Sequence, residues 1–167
     1  KSTYIAILIL ASFSASAQQS RQYSFTHLSI REGLASNVVS HIAQDEEGYI
    51  WIGTANGLQR YDGRSFITFR KDRNKPHSLA DDNIQLVYKD KKGYLWLSFS
   101  NNKVGFFDTK TFRFKEVPIK RDYESLFRGK YFVETPEGDL LLVYIKAGIY
   151  KYIKELDQFV PDSNRTV

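Results

Sequence analysis

Short apolar runs alternate with glycine-bearing polar turns along most of this chain. The clearest example begins at Asp45-Glu46-Glu47-Gly48, passes through Tyr49-Ile50-Trp51-Ile52-Gly53-Thr54, turns at Ala55-Asn56-Gly57, and continues as Leu58-Gln59-Arg60-Tyr61 to Asp62-Gly63. Each run has the length of a strand rather than a helix and is rich in β-branched and aromatic residues. Asn56-Gly57 and Asp62-Gly63 are strong hairpin signals, because glycine accepts the positive φ that such turns demand. Between Tyr49 and Thr54 the alternation is incomplete. Ile50 and Ile52 point one way, Tyr49 and Trp51 the other, so both faces are apolar and the sheet is expected to be covered on both sides.

The pattern repeats. Gly48-Tyr49-Ile50-Trp51-Ile52 returns as Gly93-Tyr94-Leu95-Trp96-Leu97 and again as Gly138-Asp139-Leu140-Leu141-Leu142, each 45 residues after the last (48, 93, 138). The turns keep phase as Asp45-Glu46-Glu47, Asp90-Lys91-Lys92 and Thr135-Pro136-Glu137. Downstream, Leu58 to Asp62 matches Val104 to Asp108, and Gly148-Ile149 with Tyr152 matches Gly57-Leu58 with Tyr61. A period near 45 residues with four short strands per unit defines a β-propeller blade. The expected fold is therefore all-β: about three four-stranded blades, with repeats near residues 37–70, 82–115 and 130–160, belonging to a larger ring of seven blades.

The first repeat predicts strands at Val38–Gln44, Tyr49–Thr54, Leu58–Asp62 and Phe66–Phe69. The second runs from Asn83–Lys89 to Phe112-Arg113-Phe114. Its middle turn has Asn101-Asn102-Lys103 in place of Asn56-Gly57, and asparagine tolerates left-handed backbone there. The third comprises Lys130–Glu134, Leu140–Ile145, Gly148–Tyr152 and Phe159-Val160. Ahead of them, Tyr23 to Ser29 alternates apolar with polar residues and predicts a half-buried strand. The polar stretch from Arg70 to Asp81 links the first two blades.

Composition changes this picture at the amino terminus. Lys1 and the apolar run Tyr4–Ala11 lead to Ala15-Ser16-Ala17 and then to polar Gln18-Gln19-Ser20. That order predicts a secretory signal peptide over residues 1–17, followed by a partial propeller over 18–167. The 167 residues contain no cysteine, which excludes disulfides, thiolate nucleophiles and cysteine-ligated zinc. The net charge of +5 is modest. Arg64, Arg70, Lys71, Arg73 and Lys75 cluster around one loop, and Lys110, Arg113, Lys115, Lys120 and Arg121 around another. On the surface of an exported protein these read as solvated charge with a leaning toward anionic ligands, not as a nucleic-acid interface.

Candidate chemistry is sparse. His27, His41 and His77 fall in three separate segments, and His41 lies on an inner-strand pattern that predicts packing. Asp45-Glu46-Glu47 and Asp81-Asp82 resemble carboxylate pairs, yet both sit at predicted turns or loops. Trp51 and Trp96 could stack on sugars, but their repeated place in a doubly covered strand predicts core. No metalloprotease, serine-hydrolase, phosphate-loop or dinucleotide motif occurs. The residues assign no catalytic, cofactor or metal site, and leave the ligand contacts open. Three blades alone do not close a ring, and two uncovered terminal faces predict self-association.

Taken together, His27-Leu28-Ser29, Glu32-Gly33-Leu34-Ala35-Ser36-Asn37, Gly48-Tyr49-Ile50-Trp51-Ile52-Gly53-Thr54 and Asn56-Gly57-Leu58 with Arg60-Tyr61-Asp62-Gly63 resemble the two-component regulator propeller family. The resemblance spans about residues 23–160. It is strongest in the first blade and weakest in the third, where Leu141 replaces tryptophan. It implies the start of a periplasmic sensor of a hybrid two-component system, anchored to the inner membrane, detecting an oligosaccharide and controlling glycan-utilisation genes. The implied partners are the ligand, the rest of the propeller, downstream sensor domains and a second copy in a homodimer. It also gives Tyr23–Leu28 a role as the strand that closes the ring. The rival expectations are a secreted lyase-like propeller enzyme and a protein-interaction scaffold, each with its functional residues beyond Val167.

Overall fold

In the computed structural model, residues 24–120, 129–145 and 148–165 are described. The predicted signal peptide over 1–17 lies outside them. Among the described residues, twelve strands form three separate four-stranded antiparallel sheets. The first holds β1 (Val39–Gln44), β2 (Ile50–Thr54), β3 (Gly57–Tyr61) and β4 (Phe66–Phe69). The second holds β5 (Ile84–Lys89), β6 (Leu95–Phe99), β7 (Val104–Asp108) and β8 (Arg113–Glu116). The third holds β9 (Lys130–Glu134), β10 (Leu140–Tyr144), β11 (Gly148–Ile153) and β12 (Gln158–Pro161). In each sheet the strands are ordered as they follow in the chain. This is the blade topology that the repeat predicts.

The double-faced apolar pattern is satisfied by stacking. Trp51, Leu58 and Phe69 of the first sheet pack with Ile84, Leu95, Leu97, Phe99 and Phe107 of the second. On the second sheet's other face, Trp96 and Val104 pack with Phe132, Leu140, Leu142, Tyr150 and Phe159 of the third. Odd and even positions of one strand thus serve two different interfaces. At Gly53 a side chain has no room, since a Cβ would stand 2.6 Å from Val87 across the first interface. The first and second sheets come together along β1 and β5, which marks these as the inner strands.

The middle turn of the second blade is one residue longer than that of the first. Thr54 pairs with Gly57 around Ala55-Asn56, whereas the Phe99 amide reaches Lys103 across Ser100-Asn101-Asn102. Asn102 takes the left-handed conformation at φ 62°. The extra residue explains why the downstream strand recurs at 46 rather than 45 positions.

Two expectations need correction. Ser24 to Ser29 forms no strand, and Phe25 is 93% exposed. Alternation predicted a half-buried strand, but no sheet edge among the described residues accepts it; Tyr23 itself lies outside them. Likewise His41 is exposed, not packed: β1 is the edge strand of its sheet, and among the described residues no further strand pairs with it.

The first blade is also less bare than expected. A single 3₁₀ turn at Ile30–Glu32 is capped by Ser29, whose hydroxyl accepts from the Arg31 amide while Glu32 accepts from the Ser29 amide and hydroxyl. Gly33, at φ 107°, turns the chain so that Leu34 is buried. Gln59, 1% exposed, then pins this segment: its carbonyl accepts from the Ala35 amide at 2.7 Å, and its amide nitrogen donates to the Gly33 carbonyl at 3.0 Å and to Thr68 Oγ1 at 2.9 Å. Gln59→Ala orphans these groups and is expected to cost about 1–3 kcal/mol. Amide exchange should accelerate at Ala35 and leave the third blade unchanged. Unaltered exchange at Ala35 contradicts the clamp.

Candidate functional site

The residues that first look chemical turn out to build the scaffold. Asp45 Oδ1 accepts from the Tyr49 amide at 2.8 Å, and Oδ2 accepts from the Trp51 indole Nε1 at 2.7 Å. Asp90 does the same for Tyr94 and Trp96, each at 2.9 Å. In the third blade Thr135 stands at the aspartate position and Leu141 at the tryptophan position; the Thr135 hydroxyl accepts from the Asp139 amide alone. Where the indole N–H is lost, the carboxylate that satisfied it is lost too. Trp51 and Trp96 are 0% and 3% exposed, so neither is a sugar platform.

The remaining candidates also serve local structure. Asp81 Oδ1 accepts from the Asn83 amide, and Asp82 Oδ1 from the Lys71 amide, which fits their loop reading. His27 and His77 are exposed and lie in different segments, and the His77 carbonyl accepts from the Phe114 amide at 2.8 Å. Among the described residues no three His, Asp or Glu side chains are grouped to hold a metal ion.

Perturbed titrations follow the same turns. Amide donors from Ser65 and Arg64, with the Ser65 hydroxyl, hold the Asp62 carboxyl down at about 2. Hydrogen bonds from Ser29 lower Glu32. Burial raises Tyr88, aided by Glu134. Burial and the hydrogen bond to Asp157 push the Tyr152 phenol up to about 12. A raised folded-state pKa stabilises the fold while the phenol stays protonated, below its unfolded value near 10, and that contribution disappears as pH climbs through about 12. Tyr152→Phe should therefore show a smaller fall in Tm between about pH 10 and pH 12 than the parent chain. Equal falls contradict this assignment.

What the fold does bring together is a cavity of about 800 Å³ at the start of the inner strands. Ser40 and Gln85, one period apart, each sit at a register break: between Val39 and His41 in β1, and between Ile84 and Leu86 in β5. A bulge bends the strand and re-aims the side chain at the extra residue. Both line this cavity with Asn83, Ser100, Asn102 and Lys130, against apolar Val38, Ile84 and Leu86. Ser40 Oγ donates to the Gly53 carbonyl at 3.1 Å, and Lys130 Nζ donates to the Phe99 carbonyl at 3.3 Å. Hydroxyls, amides and one ammonium around an apolar patch suit a hydroxyl-rich ligand. The sequence held a signal for this: Ser40 and Gln85 interrupt the two inner strands at equivalent places. Turn propensity and alternation do not register a bulge.

Three stacked four-stranded antiparallel sheets, each made from one 45-residue unit, define a propeller-type repeat protein. Residues 33–56, in the blade where the resemblance is strongest, match the family described as two component regulator propeller. A histidine kinase of Formosa agariphila, called P4, is 32% identical over 75 residues, covering 44% of this chain and 6% of that protein. Among solved structures, the extracellular domain of a putative hybrid two-component system of B. thetaiotaomicron aligns with a TM-score of 0.68 and 21% identity, over 83% of this chain and 20% of that one. A second extracellular domain from that organism, described as a putative one-component system, aligns with a TM-score of 0.64 and 25% identity over 89% of this chain and 22% of that one. The chain thus spans about a fifth of the structural relatives and a far smaller share of the kinase.

Proposed function

We propose that this chain is the amino-terminal part of a periplasmic ligand-sensing propeller belonging to a hybrid two-component histidine kinase. Its ligand is an oligosaccharide, and binding is relayed across the inner membrane to genes for glycan use. Residues 1–17 direct export, and the blades belong to a seven-bladed ring whose signalling form is a homodimer. In this reading the chain binds its ligand and does not transform it. The observation that carries it is the cavity at the inner strands, where two equivalent bulges present Ser40 and Gln85 beside Asn83 and Lys130. The extracellular placement of the similar structures supports the location, and the match to a histidine kinase supports the signalling role.

Calorimetric titration with a panel of plant and algal oligosaccharides tests this. The expected result is saturable binding of one class without turnover, weakened about tenfold by Gln85→Ala through the loss of hydrogen bonds worth roughly 1–1.5 kcal/mol. Release of shortened sugars during the titration would instead establish the enzyme reading.

A further inference from the structure

The two basic clusters do not stay apart in the fold. The polar loop after β4 and the β7–β8 turn meet on the outer side of the interface between the first and second blades, around a second cavity of about 650 Å³. Arg70, Lys71 and Lys75 come from the loop, and Arg113 from the opposite wall. All four are exposed. Among the described residues the only carboxylate lining this cavity is Asp72, which is engaged: Oδ1 accepts from the Asn74 amide and Oδ2 pairs with Lys75 at 3.7 Å. Arg70 Nε donates to the Asn56 carbonyl, which fixes its position without cancelling its charge. Among the described residues Lys71 and Arg113 form no ion pair.

Beneath this cationic rim the floor is apolar, from Leu79 and Phe107 at 3% and 1% exposure. Phe112 forms a side wall and is 39% exposed. It is held at φ 57°, and His77 on the facing loop at φ 70°. Both walls of the groove belong to blades of this chain, joined by the Phe114 amide donating to the His77 carbonyl. The groove combines an apolar floor, which suits the C–H face of a sugar ring, with four cations against one occupied carboxylate.

We infer that this groove binds the anionic substituents, carboxylate or sulfate ester, of an acidic saccharide chain, apart from the inner-strand cavity. The inference rests on the saccharide reading above and adds the charge class. Arginine and lysine at a rim take an oxyanion by charge-assisted hydrogen bonds, while a nucleic acid would need a longer basic track than this short groove provides.

The full 167-residue chain is titrated at about 50 mM salt with four probes: oligogalacturonate, a sulfated galactan fragment, a neutral galactan fragment of equal length, and a single-stranded oligodeoxynucleotide of matched charge. At least one acidic saccharide should bind about tenfold more tightly than the neutral fragment, with affinity falling as salt rises. Lys71→Gln with Arg113→Gln should abolish that preference, while Lys92→Gln, in the β5–β6 turn and outside the lining of this groove, should preserve it. The two acidic probes separate the carboxylate source from the sulfate source. Equal binding of neutral and acidic fragments overturns this inference and leaves the saccharide reading standing; binding of no saccharide overturns both. Oligodeoxynucleotide binding as tight as that of the best saccharide, or equal loss in Lys92→Gln, reveals a non-selective basic surface and overturns the inference. Melting curves matching the parent keep a null result in the double variant from being ascribed to misfolding.

Discussion

Trp51→Ala lowers the unfolding free energy by roughly 3–5 kcal/mol, the cost of emptying a large aromatic site in a packed core. Trp51 is fully buried, with its ring centroid 5.8 Å from Phe69 and 5.5 Å from Phe107, so the cavity would open at the junction of two blades. Its indole N–H and Asp45 also depend on each other. Asp45→Ala alone leaves a buried N–H and loosens the turn, and Trp51→Phe alone leaves the carboxylate oxygen without its indole. A double-mutant cycle should therefore give a coupling energy on the order of 0.5–3 kcal/mol, read from urea midpoints. The third blade is the natural control, since Thr135 and Leu141 replace the pair together. Additive costs in the cycle would contradict the mutual dependence of Asp45 and Trp51.

Gly105→Ala is the second large effect, and here the cause is excess volume. A Cβ at this position would lie 2.1 Å from the Lys115 carbonyl oxygen and 2.6 Å from the Phe114 ring. Backbone cannot yield as a flexible side-chain tip can, so β8 must move away from β7. Overpacking of this kind costs about 1–3 kcal/mol and more when backbone is the obstacle. The urea midpoint should fall, and exchange should quicken at the amides of Arg113 to Glu116. An unchanged midpoint would mean that the two strands are not packed as described. Gly63→Ala is a useful contrast: it has open space around its Cβ, and only its φ of 93° opposes the substitution.

These two sites show what the sequence makes readable. The glycine turns and the two tryptophans at a fixed spacing announced four-stranded units covered on both faces, because burial on two sides leaves a two-sided apolar pattern. The strands followed to within a residue or two. Trp51 and Trp96 were identifiable as core for the same reason. The aspartate–indole bond was not identifiable, since it spans six positions around a turn and turn propensity accounts for aspartate without it. Pattern also misplaced His41 and the segment after Tyr23: alternation reports that one face prefers burial, but not whether a neighbouring sheet is there to bury it. The basic clusters were visible as two runs, while their convergence depends on the stacking of two blades. Ser40 and Gln85 are not legible as a site in the sequence, because a bulge is a property of pairing between strands.

The most direct test of the proposed sensing role is hydrogen–deuterium exchange on the full chain, with and without the oligosaccharide that gives the strongest calorimetric signal. The account predicts slowed exchange at the bulged starts of β1 and β5 and at Gly129-Lys130, around the cavity that Ser40 and Gln85 enter. Protection confined to the outer strands β4, β8 and β12, with those inner-strand amides unchanged, would contradict it.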